Sequence, residues 1–277
     1  MINQKSSMSK IVSCVNLKGG VGKTAIAVNF AAYCGRKKLK TLLVDLDAQT
    51  NATFCCMTVD SWKKHAATKG TIANLLGARS HTNADGSERN VKTVMKKKAF
   101  RNVDLIPSHL DLITLDLDIS SAVARESKLK KALKPIIDDY DIIVCDCPPN
   151  LTIATQNALA CSTHYVVPVS PDFLSGIGVG LLLSRAGILC DDLDHELEHS
   201  GIIVSRRGRP AYHRDEVITT LRKTFKGLVF ENELKERVSV SKAASQNNPI
   251  YDTGDAKAIA EFTAMSEELF DRIGVTI

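Results

Sequence analysis

Aromatic side chains are scarce in this chain: they make up 5% of its 277 residues, with one tryptophan, Trp62. Arg206, Arg207 and Arg209 have no aromatic residue among them, so nothing there signals stacking on nucleic-acid bases. Long apolar runs are missing as well. No stretch approaches the roughly 18 residues of a spanning helix. Residues 1–10 carry Lys5 and Lys10 but no apolar signal core. A cytoplasmic protein is expected. Eight cysteines stand at 14, 34, 55, 56, 145, 147, 161 and 190, yet no two form C-x-x-C. Cys14, Cys145 and Cys147 sit in apolar runs, where a free thiol behaves as a small hydrophobe. Buried thiols are therefore expected rather than a metal or cluster site. Repeats, low-complexity segments and an obvious domain boundary are absent too. That leaves one domain, residues 10–277 behind a tail of residues 1–9, large enough for a core without metal or disulfide. The net charge of +5 permits an anionic partner without requiring one.

What is present is concentrated at Leu17-Lys18-Gly19-Gly20-Val21-Gly22-Lys23-Thr24. The apolar run 11–15 feeds into it, and 25–32 reads as a helix leaving it. Strand, glycine loop and helix follow one another. Glycines tolerate φ values that a Cβ forbids, so consecutive backbone N–H groups can curl inward. The product is an anion nest at a helix N-terminus, where the dipole also favours negative charge. Lys23 is expected to reach the β- and γ-phosphates of a nucleotide, and the Thr24 hydroxyl to hold Mg²⁺. The strict pattern G-x-x-x-x-G-K-[ST] wants glycine at position 17, where Leu17 stands; a second lysine, Lys18, precedes the glycine pair.

Two further stretches end in carboxylates. Residues 41–47 read as a buried strand carrying Asp45 and Asp47, two apart and so on one side of a continuing strand, with 48–53 a polar loop. Residues 140–149 read as a strand ending in Asp146, Cys147, Pro148 and Pro149. A carboxylate at such a strand end, beside a phosphate loop, can hold a Mg²⁺-bound water. Other strands are expected at 103–106, 165–169 and 201–205. Helices are expected at 71–76, 112–133, 152–161, 174–189, 211–225 and 256–273. Residues 80–90 read as an exposed excursion and 190–200 as an acidic connector. Strands alternating with helices predict an α/β fold with a doubly wound, mainly parallel sheet.

The glycine loop resembles the deviant Walker A box of the ParA/MinD family of P-loop ATPases. Asp45-Leu46-Asp47-Ala48-Gln49 resembles that family's D-x-D-P-Q box, with Ala48 for proline, and Asp146-Cys147-Pro148-Pro149 its D-x-P-P box. The resemblance implies ATP and Mg²⁺ as ligands. It implies a loop of Lys18, Gly19, Gly20, Val21, Gly22, Lys23, Thr24 and Ala25 around the phosphates, and a metal side made by Thr24, Asp45 and Asp146. Asp47 would orient the attacking water. Lys18, at the position of the family's signature lysine, would reach the nucleotide of a partner subunit. Residues 238–250 are similar to the late segment in which a proline lies near the adenine, which points to Pro249. The start of the chain leaves no room for the helix-turn-helix domain of longer ParA proteins, so a short, Soj-like type is expected.

Basic residues gather in two places. Lys96, Lys97, Lys98 and Arg101 form one cluster, read as solvated surface with a phosphate-backbone contact as the competing reading. Arg206, Arg207, Arg209, Arg214, Arg222, Lys223 and Lys226 form the second. The family's late arginine before Tyr-Asp has no counterpart, because Tyr251-Asp252 follows Ile250 directly, so the second cluster is the candidate for DNA phosphates. The function implied is an ATP-dependent switch: a homodimer with ATP, bound to DNA without sequence preference, stimulated by a ParB-like partner, and partitioning or positioning cargo on the nucleoid. The alternatives are a MinD-like membrane ATPase, a reductase like the nitrogenase iron protein, and an ATP-dependent biosynthetic ligase. The acidic residues of 256–273 argue against membrane targeting.

Overall fold

The computed structural model describes residues 9–79, 89–172, 175–208 and 212–276. The expected tail, most of the 80–90 excursion and Arg209 lie outside the described residues. Among the described residues, seven strands form one sheet in the order β3-β4-β2-β5-β1-β6-β7. They are β1 Lys10–Asn16, β2 Thr41–Asp45, β3 Lys96–Phe100, β4 Val103–Ile106, β5 Ile142–Pro149, β6 His164–Val169 and β7 Glu198–Val204. All pair in parallel except β3, which runs antiparallel to β4 at the edge.

The apolar runs form central strands because both faces of the sheet are covered. Side chains alternate between two cores at the period of a strand. Ile11, Val15, Leu42, Val44, Ile143 and Cys145 enter one core, while Val12, Cys14, Leu43, Val144 and Val166 enter the other. Helices Lys23–Arg36 and Ala256–Arg272 cover the second face, with Phe30 and Phe270 edge to face at 5.6 Å between ring centroids. Gly35 ends this packing: a Cβ there would stand 2.1 Å from the Arg101 carbonyl, so only glycine lets the helix approach the β3–β4 turn. β1 lies between β5 and β6, and the chain winds first to one side of it and then to the other. The crevice beyond its carboxyl end is where such sheets bind ligands.

Several expectations need correction. β2 stops at Asp45, so Asp47 does not continue the strand. Residues 48–53 are no loop throughout: helix Asn51–Cys56 begins there, after Thr50 at φ +56°. Helix Val59–Thr68 and strand β3 had no expectation at all. The helix expected over 112–133 is broken into Leu110–Thr114, Leu115–Asp118, Arg125–Ser127 and Lys128–Leu133. The reason is local competition for hydrogen bonds. Thr114 Oγ1 donates to Asp118, Arg125 donates to the Ser120 carbonyl, and Ala124 turns the chain at φ +53°. The connector at 190–200 is also shorter, because helix Ser175–Leu193 and β7 both extend into it. The cysteines behave as expected: seven are buried free thiols and Cys190 is half-buried.

Candidate functional site

The glycine loop joins the end of β1 to helix Lys23–Arg36. Gly20 and Gly22 have φ of +75° and +87°, in the left-handed region, so the backbone turns the sequence reading required are present. Asn16 anchors the loop from both sides. Its Oδ1 accepts from the Lys18 amide at 2.8 Å and its Nδ2 donates to the Pro168 carbonyl at 2.6 Å. Ser205, just after β7, donates its hydroxyl to the Val21 carbonyl. The Arg206 guanidinium donates to the Gly20 carbonyl at 2.7 Å and pairs with Glu236 at 2.6 Å. With loop carbonyls held from behind by these donors, the loop is fixed before any ligand arrives.

The two loop lysines part company. Lys23 is 6% exposed, and its Nζ donates to the Lys18 carbonyl at 3.0 Å. Burial holds its pKa below the ordinary lysine range, opposed by the nearby Asp146 and Asp47 carboxylates. Lys18 points the other way: its side chain is 54% exposed and its Nζ lies 2.6 Å from Asp172 of the same chain.

The three carboxylates also divide. Asp45 is buried and committed. Its Oδ2 accepts from the Thr53 amide and hydroxyl, each at 2.7 Å, and its Oδ1 from the Asp47 amide at 3.1 Å. It thereby pins helix Asn51–Cys56 and the turn before it. Asp47 is buried at the cavity wall, accepting from the Gln49 amide at 2.9 Å, while Ser108 Oγ donates to its carbonyl at 2.6 Å. Asp146 pairs with Asp45 across β5 and β2. It is fully buried, and neither carboxylate oxygen has a partner of hydrogen-bond geometry, although the Thr24 hydroxyl is near enough to favour its charge. Burial first, and then the Asp45 charge, push its pKa well up. An unpartnered buried carboxylate beside a threonine hydroxyl and a lysine is an unsatisfied arrangement that a divalent cation would complete. The donor set suits Mg²⁺, which takes one or two protein oxygens and otherwise keeps water and phosphate oxygens. Among the described residues no group of three or more acidic, histidine or cysteine side chains could hold a metal unaided.

The loop opens into a cavity of about 900 Å³. Gly19, Gly20, Gly22, Lys23, Thr24, Ala25 and Asp47 line its polar end. Val28, Phe54, Leu234, Val240, Ala244 and Phe262 supply its apolar lining, the chemistry that buries a ligand's apolar ring. Pro249 is buried and does not line the cavity; Asn247 and Asn248 do, with Asn247 Nδ2 donating to the Phe54 carbonyl at 2.5 Å. Val21 is buried beneath the loop.

The second basic cluster is largely neutralised within the chain. Arg206 pairs with Glu236, Arg207 with Glu233 and with Asp215 at 2.9 Å, and Arg222 with Glu233 at 3.2 Å. Arg214 folds back against Gly208, where a Cβ would meet its guanidinium at 2.6 Å. Lys223 and Lys226 remain exposed. The sequence reading thus missed that Arg206 is a loop-anchoring residue, and missed Ser205, Glu236, Phe54 and Asn247 altogether. Ser205, Arg206, Glu236 and Asn247 reach the site from far along the chain, while Phe54 stands in helix Asn51–Cys56 just after Asp47, in a segment that reads as loop up to residue 53.

Similarity to known proteins identifies the family. The family model AAA_31, described as an AAA domain, matches residues 9–199. The chain belongs to that family and is a ParA/MinD-type P-loop ATPase. It is similar to the chromosome-partitioning ATPase Soj of Treponema pallidum, 31% identical over 96% of this chain and 99% of that protein. It is also similar to the sporulation initiation inhibitor protein Soj of Bacillus subtilis, 29% identical over 88% of this chain and 90% of that one. Its fold matches a solved ATP complex of McdA from Cyanothece with a TM-score of 0.80 at 19% identity, covering 98% of each chain. No helix among the described residues is long and apolar enough to cross a membrane.

Proposed function

We propose that this P-loop ATPase is a nucleotide-driven dimerising switch that partitions or positions a cargo. ATP enters with its phosphates in the loop and its base against the apolar lining of the cavity. The amides of residues 19–24 and the Lys23 ammonium bind the phosphates, and the helix dipole adds to their field. Thr24 and Asp146 would hold Mg²⁺, with Asp45 supporting that side by fixing Asp47. The ion, when bound, neutralises phosphate charge and polarises the bond to be broken. Asp47 stands at the cavity wall, where its carboxylate orients the attacking water.

One observation carries the switch: Lys18 leaves the loop toward solvent while Lys23 is buried in it. A cation projecting from a phosphate site has its natural partner on another molecule's nucleotide. Apposing two nucleotides face to face concentrates several negative charges, and two such lysines offset that repulsion. Hydrolysis removes the terminal phosphate and releases the pair. In this reading the ATP dimer binds DNA without sequence preference and a ParB-like partner stimulates turnover. The late, mildly acidic helix Ala256–Arg272 packs its apolar side on the core, with Phe262, Met265 and Leu269 buried, which leaves no apolar face for a membrane. The experiment is ATP turnover and association state of Asp47→Ala. The variant is expected to bind ATP and stay paired with turnover largely abolished; rapid turnover would refute the role given to Asp47.

A further inference from the structure

Two basic runs far apart in sequence meet at one end of the sheet. The first, Lys38 and Lys40, follows helix Lys23–Arg36. The second, Lys97, Lys98 and Arg101, lies in β3 and the β3–β4 turn. Asn102 ties them together: its Nδ2 donates to the Gly35 carbonyl at 2.9 Å, and its carbonyl accepts from the Thr41 amide at 3.0 Å. The result is a cleft of about 750 Å³ lined by Lys40, Lys97, Lys98 and Arg101, with Asn102 and Tyr140.

The charge balance here differs from that of the 206–226 cluster. Asp104 is already engaged by Lys97 at 2.9 Å, by Tyr140 at 2.7 Å and by the Lys98 amide at 2.8 Å. Asp141 accepts from the Lys40 amide at 2.7 Å. Asp139, at the rim, is the remaining acid lining the cleft. Among the described residues, Lys38, Lys40, Lys98 and Arg101 are all exposed and none has a carboxylate within ion-pair distance. Of the apolar side chains lining the cleft, Val103 is buried and Phe100 half-buried, too little apolar surface for a lipid surface or an amphipathic peptide.

We propose that this cleft binds the phosphate backbone of duplex DNA. The proposal rests on the DNA-binding reading above and relocates its surface. Lys40 precedes β2, Arg101 and Asn102 precede β4, and Asp141 precedes β5, so the cleft lies at the amino ends of the parallel strands. The nucleotide loop follows the carboxyl end of β1, a strand length of about 20 Å away. A partner closing over the nucleotide leaves the cleft uncovered, and a dimer presents two of them. Two weak sites joined in one body bind far more tightly than one, which makes DNA retention depend on pairing and so on ATP.

The test measures binding of a fluorescent duplex by the full chain with Mg²⁺ and a non-hydrolysable ATP analogue, across a salt series. Each lost phosphate contact lowers the slope of log affinity against log salt by about one unit. The triple variant Lys40→Gln/Lys98→Gln/Arg101→Gln is expected to bind about tenfold or more weakly near 0.1 M salt, with a slope shallower by about five, because each of the dimer's two clefts loses three contacts. Its DNA-free ATP turnover should match the unaltered chain, which also reports correct folding. The control Lys130→Gln/Lys131→Gln/Lys134→Gln loses the same charge from another exposed surface and should bind as before. Unchanged affinity and slope in the first variant, or equal loss in the control, overturns the proposal. So does loss of binding confined to Lys223→Gln/Lys226→Gln, which would place DNA on helix Tyr212–Phe225. Loss of binding to phosphatidylserine vesicles with DNA binding intact would identify a lipid site and overturn it as well. If the unaltered chain shows no nucleotide-dependent DNA binding, the functional reading itself fails, and that single measurement shows it without any variant.

Discussion

Lys18 Nζ lies 2.6 Å from Asp172 Oδ2. The amine that the switch requires for a partner's nucleotide is therefore held within its own chain. Both groups are partly exposed, so the pair is worth about 0.2–1 kcal/mol. That contact must break before Lys18 can act in trans. Asp172→Asn is expected to lower the nucleotide concentration needed for half-maximal dimer formation, by up to about fivefold. Light scattering across an ATP titration measures it, and the shift should shrink at high salt.

Trp62 supplies a built-in reporter. Its indole N–H donates to the Ser108 carbonyl at 2.9 Å, and its ring meets Phe54 edge-on at 5.5 Å between centroids. Phe54 lines the cavity, and Ser108 holds the Asp47 carbonyl. As the chain's one tryptophan, it should change fluorescence when ATP–Mg²⁺ fills the cavity. Lys23→Ala, which removes the buried phosphate-binding amine, should abolish the change over the same concentration range.

His199 is expected to make the fold acid-sensitive. Its ring stacks on Tyr165 at 4.8 Å and its Nε2 is buried without a partner. Burial pushes its pKa down to about 4, against about 6.5 in the unfolded chain. Between those values the unfolded state binds the extra proton, so stability is full above about pH 6.5 and falls as the pH drops toward 4. The loss attributable to this group is of the order of 3 kcal/mol. His199→Phe should flatten the pH dependence of the urea midpoint in this window relative to the unaltered chain.

Much of this site was legible because its chemistry is local. Gly20 and Gly22 announce their backbone angles, and the strands feeding them are apolar on both faces. Asp146 was legible as a strand-end acid, although only the structure shows that it lacks a hydrogen-bond partner while Asp45 has three. Helix Val59–Thr68 was silent for a physical reason: its apolar stripe is thin, with Ala66 its one buried residue and Trp62 half-buried beside it, and the Thr58 hydroxyl that caps it has no distinctive neighbour pattern. Strand β3 was masked by its lysines, which suit an exposed edge and discourage pairing with other chains. The role of Arg206 was unreadable because its acceptor, the Gly20 carbonyl, lies 186 residues away in sequence. Glu233, which neutralises both Arg207 and Arg222, lies 26 and 11 residues from them, outside any helical or strand repeat that would pair them in sequence.

The central claim is that triphosphate binding and subunit pairing are coupled through Lys18. Sedimentation velocity of the unaltered chain and of Lys18→Gln, each with saturating ATP and Mg²⁺, tests it directly. The account predicts a dimer for the unaltered chain and a monomer for Lys18→Gln, with nucleotide still bound to both. An unaltered chain that stays monomeric, or a Lys18→Gln variant that pairs equally well, would contradict it.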